Sequence, residues 1–224
     1  MGCAGDINAS ENHPINNNVN PLEFGKYVGD LKDNKMDGNG TFYYNNGDKY
    51  EGEFSDNKKE GKGKYYYKNG NRYEGDFKND QFNGNGKFFY NNGDKYEGQF
   101  KNNKINGNGI YYYLNGDKYD GEWKNDIREG KGTFYWTNGN RYEGEYKNDV
   151  REGKGILFFK NGNRLEGEFK NGVAEGNGKL FFHTGDRYEG KFKNDQLDGK
   201  GIFYYKDGKK EKHVYSEDRL ISRE

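Results

Sequence analysis

A single cysteine, Cys3, stands in 224 residues. No internal disulfide framework can be built from it, and such a chain fits a reducing compartment. No apolar run reaches membrane-spanning length, and no signal-peptide core opens the chain. Charge of one sign is missing as well, since 37 basic residues are matched by 37 acidic ones. Without a whole-molecule field, nucleic acid is disfavoured as a partner. Apolar residues make up only 29% and charged residues 33% of the chain, which on hydropathy alone reads as disorder. Aromatic residues overturn that reading. They supply 17% of the sequence, and each ring buries a large apolar area while a tyrosine keeps its hydroxyl wet. A thin, ribbon-like core is expected from a length that allows one or two domains.

The aromatics fall in fixed rows. The stretch Asp94-Lys95-Tyr96-Glu97-Gly98-Gln99-Phe100 returns every 23 residues, and a period of that size decides the fold before any local signal does. Tyr27, Tyr50, Tyr73, Tyr96, Tyr119, Tyr142, Leu165 and Tyr188 lead the copies. A glycine follows two places later in every copy, from Gly29 to Gly190. A Gly-x-Gly comes next, as in Gly61/Gly63 or Gly176/Gly178, then a bulky triplet such as Phe88-Phe89-Tyr90. A turn closes the unit, Asn46-Gly47 through Asn161-Gly162, then Thr184-Gly185 and Asp207-Gly208.

This pattern resembles the MORN (membrane occupation and recognition nexus) repeat family over about residues 24 to 208. The residues themselves predict hairpins. Tyr50, Gly52 and Phe54 point to one face of a strand, Lys49, Glu51 and Glu53 to the other. Tyr65 and Tyr67 share a side of the return strand, with Tyr66 opposite. Gly52 leaves room for a ring. Gly61 and Gly63 are expected at a positive-φ turn that starts the return strand, and Asn69-Gly70 at a tight hairpin into the next copy. The expected fold is all-β: an elongated, single-layer antiparallel sheet of eight 23-residue hairpin repeats. Sixteen strands at about 4.8 Å would make a rod of roughly 75 Å.

Residues 1–21 stand outside the period and are expected as a flexible tail, 22–208 as the repeats, and 209–224 as a C-terminal cap. Without a cover, the last edge would invite aggregation. The tail opens Met1-Gly2-Cys3. Gly2 meets the requirement for myristoylation, and Cys3 offers a site for a palmitoyl chain. One acyl chain anchors marginally, and two anchor stably. Asp6 departs from the Ser or Thr of the myristoylation pattern, so an ordinary solvated N-terminus is the competing reading.

No catalytic constellation is legible. The carboxylates Glu51, Glu74, Glu97, Asp120, Glu143, Glu166 and Glu189 recur as a row, read as a solvated face paired with Lys49, Arg72 and their equivalents. His13, His183 and His213 lack metal-ligand spacing, and the Gly-x-Gly pairs carry no dinucleotide fingerprint. Neither an enzyme nor a cofactor is expected.

Two surfaces are binding candidates. The first is an aromatic groove. It would be led by Tyr50, Tyr73, Tyr96, Tyr119, Tyr142 and Tyr188, followed by Phe54, Phe77, Phe100, Trp123, Tyr146, Phe169 and Phe192, with Trp136 beside them. A one-layer sheet has nothing behind it, so the rings would line a trough for a peptide or an amphipathic helix. The bland reading is that they only pack. The second is a lysine row, Lys78, Lys101, Lys124, Lys147, Lys170 and Lys193, about 10 Å apart and able to meet anionic headgroups. Its bland reading is a solubilising balance for nearby acids.

The leading functional expectation is a non-enzymatic scaffold or adaptor, held at a membrane by acyl chains and presenting the groove to protein partners. The resemblance implies membrane-apposed or cytoskeletal organisers, often elongated dimers, so a homodimer belongs to the expectation. It places the chain at the cytoplasmic side of the plasma, inner-complex or ciliary membrane, and otherwise in cytoplasm or cytoskeleton. The alternatives are direct phosphoinositide binding and a regulatory subunit acting in trans on an enzyme.

Overall fold

A computed structural model describes residues 24–224. Over that range the chain is all β, without an α-helix. It forms two compact units: residues 24–114 with Trp123–Ile127, and Asn115–Glu122 with Arg128–Glu224. The first holds β1 (Gly25–Lys32), β2 (Lys35–Tyr44), β3 (Lys49–Ser55), β4 (Lys58–Tyr66), β5 (Arg72–Lys78), β6 (Gln81–Phe89), β7 (Lys95–Lys101) and β8 (Lys104–Tyr112). Residues of β9 (Lys118–Lys124) belong to both. The second is built mainly of β10 (Ile127–Tyr135), β11 (Arg141–Lys147), β12 (Val150–Phe158), β13 (Arg164–Lys170), β14 (Val173–Phe181), β15 (Arg187–Lys193), β16 (Gln196–Tyr204), β17 (Lys210–Ser216) and β18 (Arg219–Arg223). In each unit consecutive strands pair antiparallel.

The hairpins form because polar and aromatic residues alternate. In β7, Tyr96 and Phe100 are buried while Gln99 and Lys101 are exposed. The aromatic face fills itself. The rings of Tyr50, Tyr73, Tyr96, Tyr119, Tyr142 and Tyr188 are 0% exposed. Each lies across a glycine pair: a Cβ on Gly86 would stand 2.5 Å from Tyr73 Cε2, and one on Gly75 2.5 Å from Gly86 Cα. In Tyr50, Tyr73, Tyr96, Tyr119 and Tyr142 the hydroxyl then donates to the carbonyl three residues on, 2.9 Å for Tyr73 to Asp76 and 3.2 Å for Tyr142 to Glu145. Each lead ring also meets two others edge-on, one from its own repeat and one from the next. Tyr73 sits 5.2 Å from Phe77 and 5.0 Å from Phe100, and Tyr142 sits 5.5 Å from Tyr146 and 4.8 Å from Phe169. Such pairs add about 0.5–1.5 kcal/mol beyond area burial.

The turns differ from the sequence expectation. The tight two-residue turns are the Asn/Asp pairs inside each repeat, such as Asn79-Asp80 at φ 49° and 68° and Asn148-Asp149 at 48° and 67°. Both positions need positive φ, the type I′ requirement, which Asn and Asp tolerate. Asn69-Gly70 belongs instead to a three-residue loop. Gly70 N–H donates to Tyr67 O, and Tyr67 N–H to Asn71 O, both at 3.0 Å, with Gly70 in the left-handed region. Gly61, at φ 64°, serves a bulge in which Glu53 alone faces Glu60, Gly61 and Lys62. Gly63 takes no positive φ; it is the second glycine beneath the Tyr50 ring.

Turn side chains stitch neighbouring repeats at both ends of the strands. At one end Asp80 Oδ1 accepts the Lys59 amide at 2.9 Å, and Asp149 Oδ1 accepts the Arg128 amide at 2.9 Å. At the other, Asp48 accepts the Lys68 amide and Asp117 the Thr137 amide, both at 2.8 Å. In β17 the pattern changes chemistry. Glu211 stands where a lead tyrosine would be and His213 where its glycine would be. Glu211 takes hydrogen bonds from Lys209, Tyr205 and His213, which together bring its carboxyl down to about 2.

Candidate functional site

Tyr50, Phe54, Tyr73, Phe77, Tyr96, Phe100, Tyr119, Trp123, Tyr142, Tyr146, Phe169, Tyr188 and Phe192 are all buried. They do not line an open groove, because the glycine pairs let the rings lie flat and cover one another. Trp123 further donates its Nε1–H to Gly109 O at 3.2 Å and meets Tyr96 edge-on. Trp136 alone of the set is partly exposed, leaning on Phe134 at 4.8 Å with the Arg151 guanidinium 5.8 Å away. Burial raises the phenol pKa values along this face; that of Tyr142 goes to about 12, although Arg151 pulls it back.

The open space is on the opposite, polar face. In the second unit a trough of about 840 Å³ crosses β11 to β15. Its floor includes Gly155, Gly167, Gly178 and Gly190, and its walls carry Glu143, Glu166, Glu168, Glu189, Lys154 and Lys179. Strand register sets Glu143, Ile156, Glu166, Lys179, Glu189 and Ile202 abreast across the sheet. Ile156 is thereby an apolar spot between two carboxylates.

A second row runs beside it. Arg141 stacks 4.1 Å over Phe158, Arg164 4.2 Å over Phe181 and Arg187 4.3 Å over Tyr204. Their Nε atoms lie 2.7, 2.8 and 2.9 Å from Glu143, Glu166 and Glu189. The acidic row is therefore paired along its own strands, as Lys49 and Glu51 are at 2.6 Å in the first unit. There Lys87 and Lys95 hold the Glu97 carboxyl below its usual range.

The carboxylates two residues further along the strand are used internally. Glu53 accepts the Lys62 amide at 2.9 Å, Asp76 the Asn85 amide at 2.8 Å, and Glu122 the Lys131 amide at 3.0 Å. Sequence reading missed this role and the trough itself. The signal was present in the recurrence of a hydrogen-bond acceptor after the first glycine of every unit but the eighth, where Lys191 follows Gly190.

Lys78, Lys101, Lys124, Lys147, Lys170 and Lys193 are exposed, and none is in an ion pair with another of the described residues. Each ends the first strand of its hairpin; Lys147 faces Val150 and Lys101 faces Lys104. Gly2 and Cys3 lie outside the described residues. Among the described residues no group of three or more His, Cys, Asp or Glu is placed to hold a metal ion, and no helix is long and apolar enough to cross a membrane.

Comparison with solved structures gives a likeness of fold. The TCP10 domain of CPAP from Danio rerio is 10% identical, with a TM-score of 0.50 over 82% of this chain and 98% of that one. The TCP domain of SAS-4 from Drosophila melanogaster, solved with a proline-rich motif of Ana2, is 18% identical with a TM-score of 0.47 over 69% and 84%. No curated protein matches the chain. The MORN repeat model matches eight consecutive times, at residues 27–49, 50–72, 73–95, 96–118, 119–141, 142–164, 166–187 and 188–210. The chain belongs to the MORN repeat family.

Proposed function

We propose that this chain is a non-enzymatic scaffold or adaptor that receives an extended segment of a partner protein in the polar-face trough. The observation that carries the reading is the trough, about 840 Å³ of open space crossing five strands. A segment running across the strands meets equivalent residues once per repeat. Two strand spacings are about 9.6 Å, roughly the reach of three extended residues. The ring face is closed by its own packing and offers no such opening. Replacing Ile156 and Lys179 together by tryptophan fills the trough without touching the ring core. Affinity capture with that full-length variant should lose the partners that the unaltered chain retains. An identical set of captured proteins would remove the reading, whether the partner is structural or an enzyme regulated in trans.

Tethering through Gly2 and Cys3 is the second part of the proposal. It is motivated by the Met1-Gly2-Cys3 opening and by the need for two acyl chains in stable anchoring. Gly2→Ala should shift the protein from the membrane fraction to the soluble one, and an unmoved distribution sinks the tether. A different reading, phosphoinositide binding, is favoured by six exposed lysines that have no ion pair among the described residues. It requires unacylated recombinant chain to pellet with anionic vesicles in a salt-sensitive manner. Protein left in the supernatant at low salt discards it.

A further inference from the structure

The seventh repeat departs from the others in one linked set of features. Its lead residue is Leu165 in place of tyrosine, and the family match to that repeat opens one residue later, at 166. Leucine has no hydroxyl, so the bond that holds the carbonyl of Glu53, Asp76 or Glu145 in other repeats has no counterpart at Glu168. No lead ring covers the glycine pair either; the ring that a Cβ on Gly178 would meet is that of Phe192, at 3.0 Å, and one on Gly167 would meet no ring. A Cβ on Gly167 would find Gly178 Cα at 3.3 Å, against 2.7 Å from Gly144 to Gly155 in the sixth repeat.

The bulge loosens in step. A Cβ on Gly153 would stand 2.7 Å from Glu145 Oε2, whereas one on Gly176 would stand 3.7 Å from Glu168 Oε2. Glu145 still accepts the Lys154 amide, at 3.4 Å. Among the described residues the Glu168 carboxylate has no hydrogen bond and no ion pair, and it faces the trough. Its register partner Lys154, also lining the trough, is equally without an ion pair among the described residues. Of the four lining glutamates, Glu143, Glu166 and Glu189 are each balanced by an arginine, which leaves Glu168 as the carboxylate open to a further cation.

We infer that Glu168, released by Leu165, is the acceptor for a lysine or arginine side chain of the partner segment in the trough. The inference rests on the peptide-in-trough reading and names the partner's chemistry: an extended segment carrying a cation. Ile156 offers the apolar surface along which the stem of a long cationic side chain would lie while its head reaches a carboxylate. Glu143, Glu166 and Glu189 each already have an arginine at the Nε contact, so Glu168 is the wall carboxylate with nothing to give up.

The test uses the full-length chain and three labelled nine-residue peptides: repeats of Arg-Ser-Gly, Gln-Ser-Gly and Glu-Ser-Gly. The arginine peptide should bind most tightly, and Glu168→Gln should weaken it about fivefold, the upper end for a solvent-exposed charge pair. Leu165→Tyr should weaken it comparably, because the restored hydroxyl and ring draw the bulge closed without altering charge. Glu224→Gln removes the same charge away from the trough and should change nothing. Equal losses from E224Q and E168Q, no effect of E168Q, or tighter binding of the glutamate peptide overturns the assignment while leaving the trough reading in place. If none of the three peptides binds, the trough reading falls and takes this inference with it.

Discussion

A lead tyrosine does three things at once: its ring fills the space over two glycines, it packs edge-on against two neighbours, and its hydroxyl fixes a backbone carbonyl. The glycine beneath it is therefore no freer to change than the ring. A Cβ at Gly98 would run into the Tyr96 hydroxyl and stand 2.5 Å from Gly109 Cα and 2.6 Å from Asn108 O. Gly98→Val should cost about 3 kcal/mol or more, on the scale of overpacked core positions, measured as a fall in the urea midpoint. Gly167→Ala, where the nearest atoms are backbone at 3.3 Å and no ring lies above, should cost visibly less. Equal losses at the two sites would show that the ring is not what excludes a side chain. The rows of rings and glycines were legible from the 23-residue period. The side of the sheet left open was not. Alternation assigns residues to faces, but whether rings seal a face depends on how flat each can lie, which here follows from glycines on two strands.

At the scale of the hairpin, the misread element was the turn. Asn-Gly is the commoner tight-hairpin signal, and it drew attention from the Asn-Asp pairs that make the two-residue turns. Asp80 shows why an acid is used there: it holds positive φ and lends Oδ1 to the Lys59 amide of the preceding repeat. Asp80→Ala loses both and should destabilise by about 1–3 kcal/mol. Asp80→Asn should restore most of it, because an amide oxygen can accept the same bond. Thermal unfolding of the two variants decides the matter. If Asn proves as harmful as Ala, the side-chain oxygen is not the working part. Gly172, which has no side chain to lend, occupies the equivalent place in the seventh repeat; it donates its amide to Arg151 O, and its carbonyl accepts from the Arg151 guanidinium.

For the whole molecule, the unusual core chemistry sets a pH window. Burial raises the pKa of the ring-face tyrosines, Tyr142 to about 12. Between an ordinary phenol value near 10 and those raised values, the unfolded chain has released protons that the folded chain still holds. This stabilisation is complete below about pH 10 and lost as the pH rises through about 12. Tyrosinate absorbance and loss of the β circular-dichroism signal should rise together. Ionisation at an ordinary midpoint in a still-folded chain would contradict the burial argument. On the acid side the sign reverses. Glu97 and Glu211 have depressed values, so their contribution is present above about pH 4 and fades as pH falls, toward about 2 for Glu211.

The stitches between repeats also have a timetable. The Lys59 amide waits for Asp80, and the Phe82 amide for Asn103. At about 5–20 residues per second, a ribosome delivers each missing acceptor about 1–4 seconds after the donor that needs it. A nascent hairpin thus leaves the exit tunnel with one amide unclaimed until its successor arrives. Stalled translation would strand the newest repeat half-fastened, whichever repeat that happened to be.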